Sequence, residues 1–68
     1  MPIVRVDFWE GLGEKPLKQM IKGITDVMVG IGVPKEAVQV IVNEVPKTHW
    51  GVGGIPTSEC MPDSQPPK

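Results

Sequence analysis

The 68-residue sequence predicts one α/β domain, in which a strand, a helix and a second strand form a βαβ unit followed by a short C-terminal hairpin. Apolar residues recur at alternate positions in residues 3–9 and at every third or fourth position after Glu14. In residues 37–45 they are almost continuous. A crossover of this length joins parallel strands and is right-handed. We expect this domain to span residues 1–55 and a proline-rich tail to span residues 56–68.

Residues 3–9 predict the first strand because they are rich in β-branched and aromatic side chains. Successive side chains of a strand point to opposite faces. The even-numbered face is entirely apolar, whereas the odd-numbered face is mixed and includes Arg5 and Trp9. Gly11 and Gly13 then interrupt the pattern, so we expect the strand to end before them.

The helical period begins at Glu14, and we expect Gly30, Gly32 and Pro34 to stop the helix. Glu14 and Pro16 suit a first helical turn, where a negative charge meets the helix dipole and a missing N–H costs nothing. Gly32 and Pro34 follow the last turn and predict its end. The apolar stripe comprises Leu17, Met20, Ile21, Ile24, Val27, Met28 and Ile31.

Residues 37–45 predict the second strand, which is apolar over most of its length and ends at Pro46. The glycine-dense segment 47–55 predicts a loop with a short hairpin. Residues 56–68 hold four prolines and few large apolar groups. We therefore expect this tail to be mobile, or to be ordered only against a neighbouring subunit.

The small size of the chain predicts self-association. A domain this short buries only about 60% of the surface of its unfolded chain, and small folds compensate with disulfides, metals or oligomers. Cys60 is the only cysteine and His49 the only histidine, so neither an intrachain disulfide nor a usual zinc site can form. We expect an oligomer without metal or cofactor.

The charge pattern argues against nucleic-acid and membrane partners. The formal net charge is −1, and Arg5 and six lysines are spread along the chain rather than clustered in a basic stripe. No apolar run approaches the roughly 18 residues that span a bilayer, and no signal-peptide pattern is visible. With one unpaired cysteine, these features predict a cytoplasmic protein.

The dipeptide Met1-Pro2 is the first candidate for chemistry. Removal of Met1 would leave a secondary amine at Pro2, and an α-amino group has an ordinary pKa of about 7.7–8.0. An apolar pocket lowers the pKa of such a cation, so that more of the neutral base is present at physiological pH. A neutral amine can abstract a proton next to a carbonyl. In most proteins that begin in this way, however, the proline has no chemical role.

Three features together resemble the 4-oxalocrotonate tautomerase family. They are Met-Pro-Ile at the start, Glu10-Gly11 after the first strand, and Lys-x-His-Trp-Gly-Val-Gly-Gly at residues 47–54. The resemblance runs from Pro2 to about Ile55. It implies βαβ protomers that assemble as hexamers of three dimers and tautomerise small 2-hydroxydienoates or 2-keto acids.

The same resemblance implies roles for individual residues. Pro2 would be the catalytic base and proton carrier. The apolar pocket around it would be lined by Trp9, Trp50 and Val52.

Two positions depart from the family pattern. Leu12 stands where the best-known members have an arginine that binds a substrate carboxylate, and Gln39 stands where they have one that polarises the substrate oxygen. Gln39 could still donate a hydrogen bond to that oxygen, while Arg5 and Lys47 are candidates for holding a carboxylate. An enol with one carboxylate and an apolar body, such as phenylenolpyruvate, is therefore expected to suit this chain better than the dicarboxylate 2-hydroxymuconate.

Two other function classes stay open at this point. The chain could be a subunit of a hetero-oligomeric or catalytically decayed assembly, in which a partner supplies the missing cations. It could also be a proline-dependent hydratase or dehalogenase, in which Asp7, Glu10 or Glu44 activates water.

Overall fold

The computed structural model describes residues 2–68 and contains the predicted βαβ unit and hairpin. A turn of 3-10 helix precedes the second strand and another precedes the hairpin, at Lys35–Ala37 and Lys47–His49. The remaining elements, in chain order, are β1 (Ile3–Trp9), α1 (Glu14–Gly30), β2 (Gln39–Val45), β3 (Gly51–Val52), β4 (Ile55–Pro56) and α2 (Thr57–Cys60).

The strands β1 and β2 are parallel, as predicted from the length of the crossover. Ile3 lies opposite Gln39 and Trp9 lies opposite Val45, so the two strands match along their whole length. The predicted start of β2 at residue 37 was wrong by two residues. Residues 35–37 instead form the 3-10 turn, in which the Ala37 N–H donates to the Pro34 carbonyl at 2.9 Å.

The helix α1 begins and ends where the sequence predicted. Its first hydrogen bond runs from the Leu17 N–H to the Gly13 carbonyl at 3.0 Å, and Glu14 lies in its first turn. After Gly30 the chain turns at Gly32, whose φ of 102° is a conformation that side chains rarely adopt. The position of this glycine therefore defines the turn that leads back to β2.

Much apolar surface stays uncovered in the single chain. Alternate residues of β1, Val4 and Val6 among them, are half-buried, whereas Ile3 on the opposite face is 54% exposed. On α1, Val27 is 64% exposed, and Ile31, just beyond its end, is 75% exposed. Within residues 2–68, no hydrophobic side chain is fully buried. This is the surface expected of a protomer that associates with further copies.

The C-terminal tail folds back onto its own chain, and the expectation that it is mobile, or ordered only against a neighbour, stays a prediction. A set of polar contacts that its apolar content did not reveal joins it to the rest of the chain. Thr57 is fully buried, and its hydroxyl donates to the Lys47 carbonyl at 3.1 Å. Near the end of the tail, the Pro67 carbonyl accepts the Gly13 N–H at 2.8 Å. The boundary predicted after residue 55 falls inside β4, and the division into two segments stays a prediction.

Candidate active site

Pro2 and Gln39 lie together at one end of the sheet. Pro2 is half-buried directly before β1, and its carbonyl accepts the Gln39 N–H at 3.1 Å. This bond exists because Gln39 opens β2 in register with the start of β1. The predicted removal of Met1 concerns a residue outside the described part of the chain.

Trp9 and Trp50 lie together at the opposite end of the sheet. Their ring centroids are 6.0 Å apart at an interplanar angle of 72°, an edge-to-face pair. Trp9 is the last residue of β1, and the 3-10 turn Lys47–His49 brings Trp50 against it. With a rise of roughly 3.3 Å per residue, the seven steps from Pro2 to Trp9 span about 23 Å. Within one chain, the predicted base and the predicted aromatic pocket are therefore separate.

A cavity of about 310 Å³ opens beside the tryptophan pair. Its lining is mainly aromatic and proline side chains, with one carboxylate and one amide: Asp7, Phe8, Trp9, Trp50, Gln65, Pro66 and Pro67. The Nε1 atom of Trp9 is buried and has no hydrogen-bond acceptor among the described residues. Among the described residues, the lining thus forms an open and mainly apolar hollow with one carboxylate, that of Asp7.

Lys47 borders this region but is already engaged. Its Nζ lies 4.7 Å from the Trp9 ring centroid and donates to the Met61 carbonyl and, at 2.8 Å, to the Ser64 carbonyl. A cation over an indole face is a favourable arrangement. The side chain therefore holds the tail against Trp9, a use that the sequence did not reveal.

The backbone of Leu12 is bound by the Glu44 carboxylate. Glu44 Oε1 accepts the N–H of Gly11 at 3.2 Å and that of Leu12 at 3.1 Å, which fixes the loop between β1 and α1. Glu44 was a candidate for activating water, but here its oxygen binds backbone. The signal for this role was weak, since Glu44 opposes Phe8 near the end of the strand pair and only the fold brings it to the loop.

Of the remaining predicted residues, Arg5 and Val52 lie apart from the aromatic cavity, whereas Asp7 lines it. Arg5 is exposed in the middle of β1, opposite Ile41, on the uncovered face of the sheet. Val52 is 46% exposed in β3. Asp7, on the same face as Arg5, accepts a long hydrogen bond of 3.4 Å from Asn43 Nδ2. The roles of all these residues stay predictions.

The fold places the chain among small α/β proteins, and comparison with known proteins shows its family. The sequence model of the tautomerase enzyme family matches residues 2–59 of this chain. The chain belongs to this family, and the resemblance drawn from its motifs is confirmed. No helix within residues 2–68 has the length and apolar character needed to cross a membrane.

Named relatives agree with the family match. A probable tautomerase of Ralstonia nicotianae is 38% identical, with 100% of this chain and 94% of the relative aligned. The 2-hydroxymuconate tautomerase of Pseudomonas putida is 35% identical over 87% of this chain and 95% of its own. The chain is therefore an isomerase of the tautomerase type.

Solved structures agree with the fold. TomN, a 4-oxalocrotonate tautomerase homologue in the tomaymycin biosynthetic pathway, superposes with a TM-score of 0.83 at 36% identity, covering 85% of this chain and 91% of that one. A chain of the heterohexamer 4-oxalocrotonate tautomerase from Chloroflexus aurantiacus superposes with a TM-score of 0.81 at 32% identity, covering 87% and 97%.

Proposed function

We propose that this enzyme interconverts the enol and keto forms of a small 2-hydroxydienoate or 2-keto acid, with the Pro2 amine as general base. The observation that carries the proposal is the position of Pro2. The family match begins at this residue, and the backbone pairs it with Gln39 at the head of the parallel strands.

The proton moves through the ring nitrogen of Pro2. After removal of Met1, the neutral amine takes the proton from the enol oxygen, and the electron pair moves towards the distal carbon. The protonated amine then returns the proton to that carbon, which leaves the ketone and a neutral base. The amide of Gln39 is the proposed donor to the oxygen that gains charge.

The distance between Pro2 and the Trp9–Trp50 pair supports an oligomeric assembly. A site that includes both Pro2 and the Trp9–Trp50 pair needs at least two chains, because about 23 Å separates them in one. Exposed apolar side chains such as Ile3 and Ile41 supply surface for such contacts. We propose a homohexamer built as a trimer of dimers.

The preferred substrate carries one carboxylate and an apolar body. Leu12 and Gln39 provide no guanidinium for a second carboxylate, and a planar bidentate partner is not replaced by an amide. The aromatic cavity beside Trp50 suits a phenyl ring, as in phenylenolpyruvate. Activity on 2-hydroxymuconate, the substrate in the name of the Pseudomonas putida relative, is proposed to be weaker.

The test is ketonisation of phenylenolpyruvate by protein whose loss of Met1 is confirmed by intact mass. Pro2→Ala should lower turnover by about 10²–10⁴, the usual contribution of a positioned acid–base group. The native mass of the variant is the control, since assembly should be retained. A fully active, correctly processed Pro2→Ala would remove Pro2 from the mechanism.

A hetero-oligomer is the second candidate, and the residues at positions 12 and 39 favour it. If a partner chain supplies the missing cations, the purified protein alone would form an assembly that is inactive on both substrates. Activity restored by mixing with a second tautomerase subunit would establish this alternative over the homohexamer.

Water-activating chemistry is a third candidate, favoured by Asp7. Its carboxylate lines the aromatic cavity, whereas that of Glu44 is held by backbone N–H groups. Hydration of an unsaturated acid that is lost in Asp7→Asn would support it, and retained tautomerisation in the same variant would keep the two activities separate.

A further inference from the structure

One wall of the aromatic cavity comes from the last residues of the chain. Gln65, Pro66 and Pro67 line it opposite Phe8 and Trp50. The family model ends at residue 59, so this wall lies outside the part of the chain that the family shares. The wall is therefore not part of the segment that the family model matches.

The wall is attached at two places. Lys47 donates from its ammonium to the carbonyls of Met61 and Ser64, and the Gly13 N–H donates to the Pro67 carbonyl at 2.8 Å. Within residues 2–68, the ion pairs join Glu14 with Lys18 and Asp26 with Lys22, so no carboxylate neutralises Lys47. The Lys47 ammonium instead contacts the tail carbonyls and the face of Trp9.

The wall can detach because only a few hydrogen bonds hold it. Within residues 58–68, all of which the structure describes, no residue is buried. Loss of the few hydrogen bonds would release the tail without unfolding the sheet.

The chemistry of the cavity defines what it accepts. Phe8, Trp50 and the two tail prolines offer apolar contact, and none of the described residues that line the space is a cation. Asp7 would repel a carboxylate placed there. The cavity thus suits the apolar end of a ligand whose single carboxylate lies elsewhere.

We propose that residues 61–68 form a detachable wall that makes the cavity selective for aryl 2-keto acids, and that Lys47 is the residue that positions this wall. The statement about substrate preference rests on the proposed function. The statement about the wall does not, because it concerns binding alone.

Tryptophan fluorescence tests the wall directly, because both tryptophans border the cavity and the chain has no tyrosine. The probe is 3-phenylpropanoate, titrated into the full chain and into a chain that ends at Ser64. Removal of the tail prolines should weaken binding about tenfold, which corresponds to 1.4 kcal/mol. Equal affinity of the two proteins, or tighter binding by the shorter one, would overturn the proposal.

Substitution of Lys47 separates positioning from a general structural effect. Lys47→Met should weaken binding of the same probe and expose the tryptophans to acrylamide, whereas Lys47→Arg should restore both. Lys22→Met, which removes an exposed charge on α1, is the matched control and should change neither. If Lys47→Met does not fold, the double substitution Pro66→Ser with Pro67→Ser replaces it, and unchanged binding in that variant contradicts the wall.

Steady-state kinetics test the proposed preference for aryl substrates. Loss of residues 65–68 should raise KM for phenylenolpyruvate about tenfold with kcat nearly unchanged, and leave KM for 2-hydroxymuconate within about twofold. Equal changes for both substrates would refute selectivity by the wall. If the full chain shows no activity, the proposed function fails, and the fluorescence titration still decides whether the wall exists.

Discussion

Gly13→Ala should release the end of the tail, and it is the most direct structural perturbation that the fold offers. The backbone of Gly13, with φ −68° and ψ 156°, accepts alanine without strain. A Cβ atom there would lie 2.5 Å from Lys68 Cα and closer still to its carbonyl carbon, whereas Pro16 Cδ is 3.3 Å away. Because backbone rather than a flexible side chain is in the way, Lys68 must move.

The magnitude follows from what is lost. The bond from the Gly13 N–H to the Pro67 carbonyl breaks, and its net contribution is about 0.5–1.5 kcal/mol. Once the tail has moved away, the freed N–H of Gly13 at the helix start can bind water, so the cost stays within that range. Gly23→Ala is the matched control. Its Cβ meets nothing within 4 Å, and alanine inside a helix should stabilise by about 0.5–1 kcal/mol.

The assay is urea unfolding at a fixed protomer concentration, because association changes apparent stability. Acrylamide quenching of the two tryptophans is read in parallel. In the chain that ends at Ser64, Gly13→Ala should cost almost nothing, since the group it displaces is absent. The same loss of stability in the full and shortened chains would refute the contact between Gly13 and the tail.

Three further predictions concern single contacts. Thr57→Val should lower the free energy of unfolding, measured in urea, by about 1 kcal/mol. The Lys47 carbonyl would lose a hydroxyl donor but keep the Trp50 N–H. An unchanged free energy would mean that the bond from Thr57 contributes nothing. Glu44→Ala should speed amide exchange at Leu12, whose N–H loses its acceptor, while Glu44→Gln should largely preserve it; equal exchange in both variants would contradict the role of the carboxylate. Gln39→Arg should raise kcat/KM for 2-hydroxymuconate by about 10–10², because a guanidinium binds carboxylate and enolate oxygens better than an amide; an unchanged value would place Gln39 away from the substrate.

The regular elements of the fold could be predicted because their information is local. The odd–even alternation of residues 3–9 and the three–four spacing after Glu14 reflect the periods of a strand and a helix. The start of β2 was misplaced because Lys35–Ala37 carry no pattern that separates a 3-10 turn from an extended segment. The error is two residues at one boundary and leaves the register unaffected.

The candidate site could be predicted only in part. Pro2 and the aromatic residues were identified by resemblance, but their separation within one chain depends on the direction of β1. Glu44 and Lys47 were assigned candidate chemical roles, which stay predictions; in the structure both bind backbone groups, and the sequence did not reveal those contacts. A sequence pattern gives the charge of such a side chain and not its partner.

The sequence by itself determined the βαβ order, the parallel pair and the family, and it predicted that so small a chain associates with other subunits. Those features follow from periodicity, crossover length and the balance of surface to volume, which neighbouring residues set. Only the tertiary structure decided that the tail returns to Gly13, that Lys47 holds it against Trp9, and that Pro67 walls a cavity. Such contacts join residues distant along the chain through single hydrogen bonds, and a proline-rich segment has no repeating pattern from which they could be read.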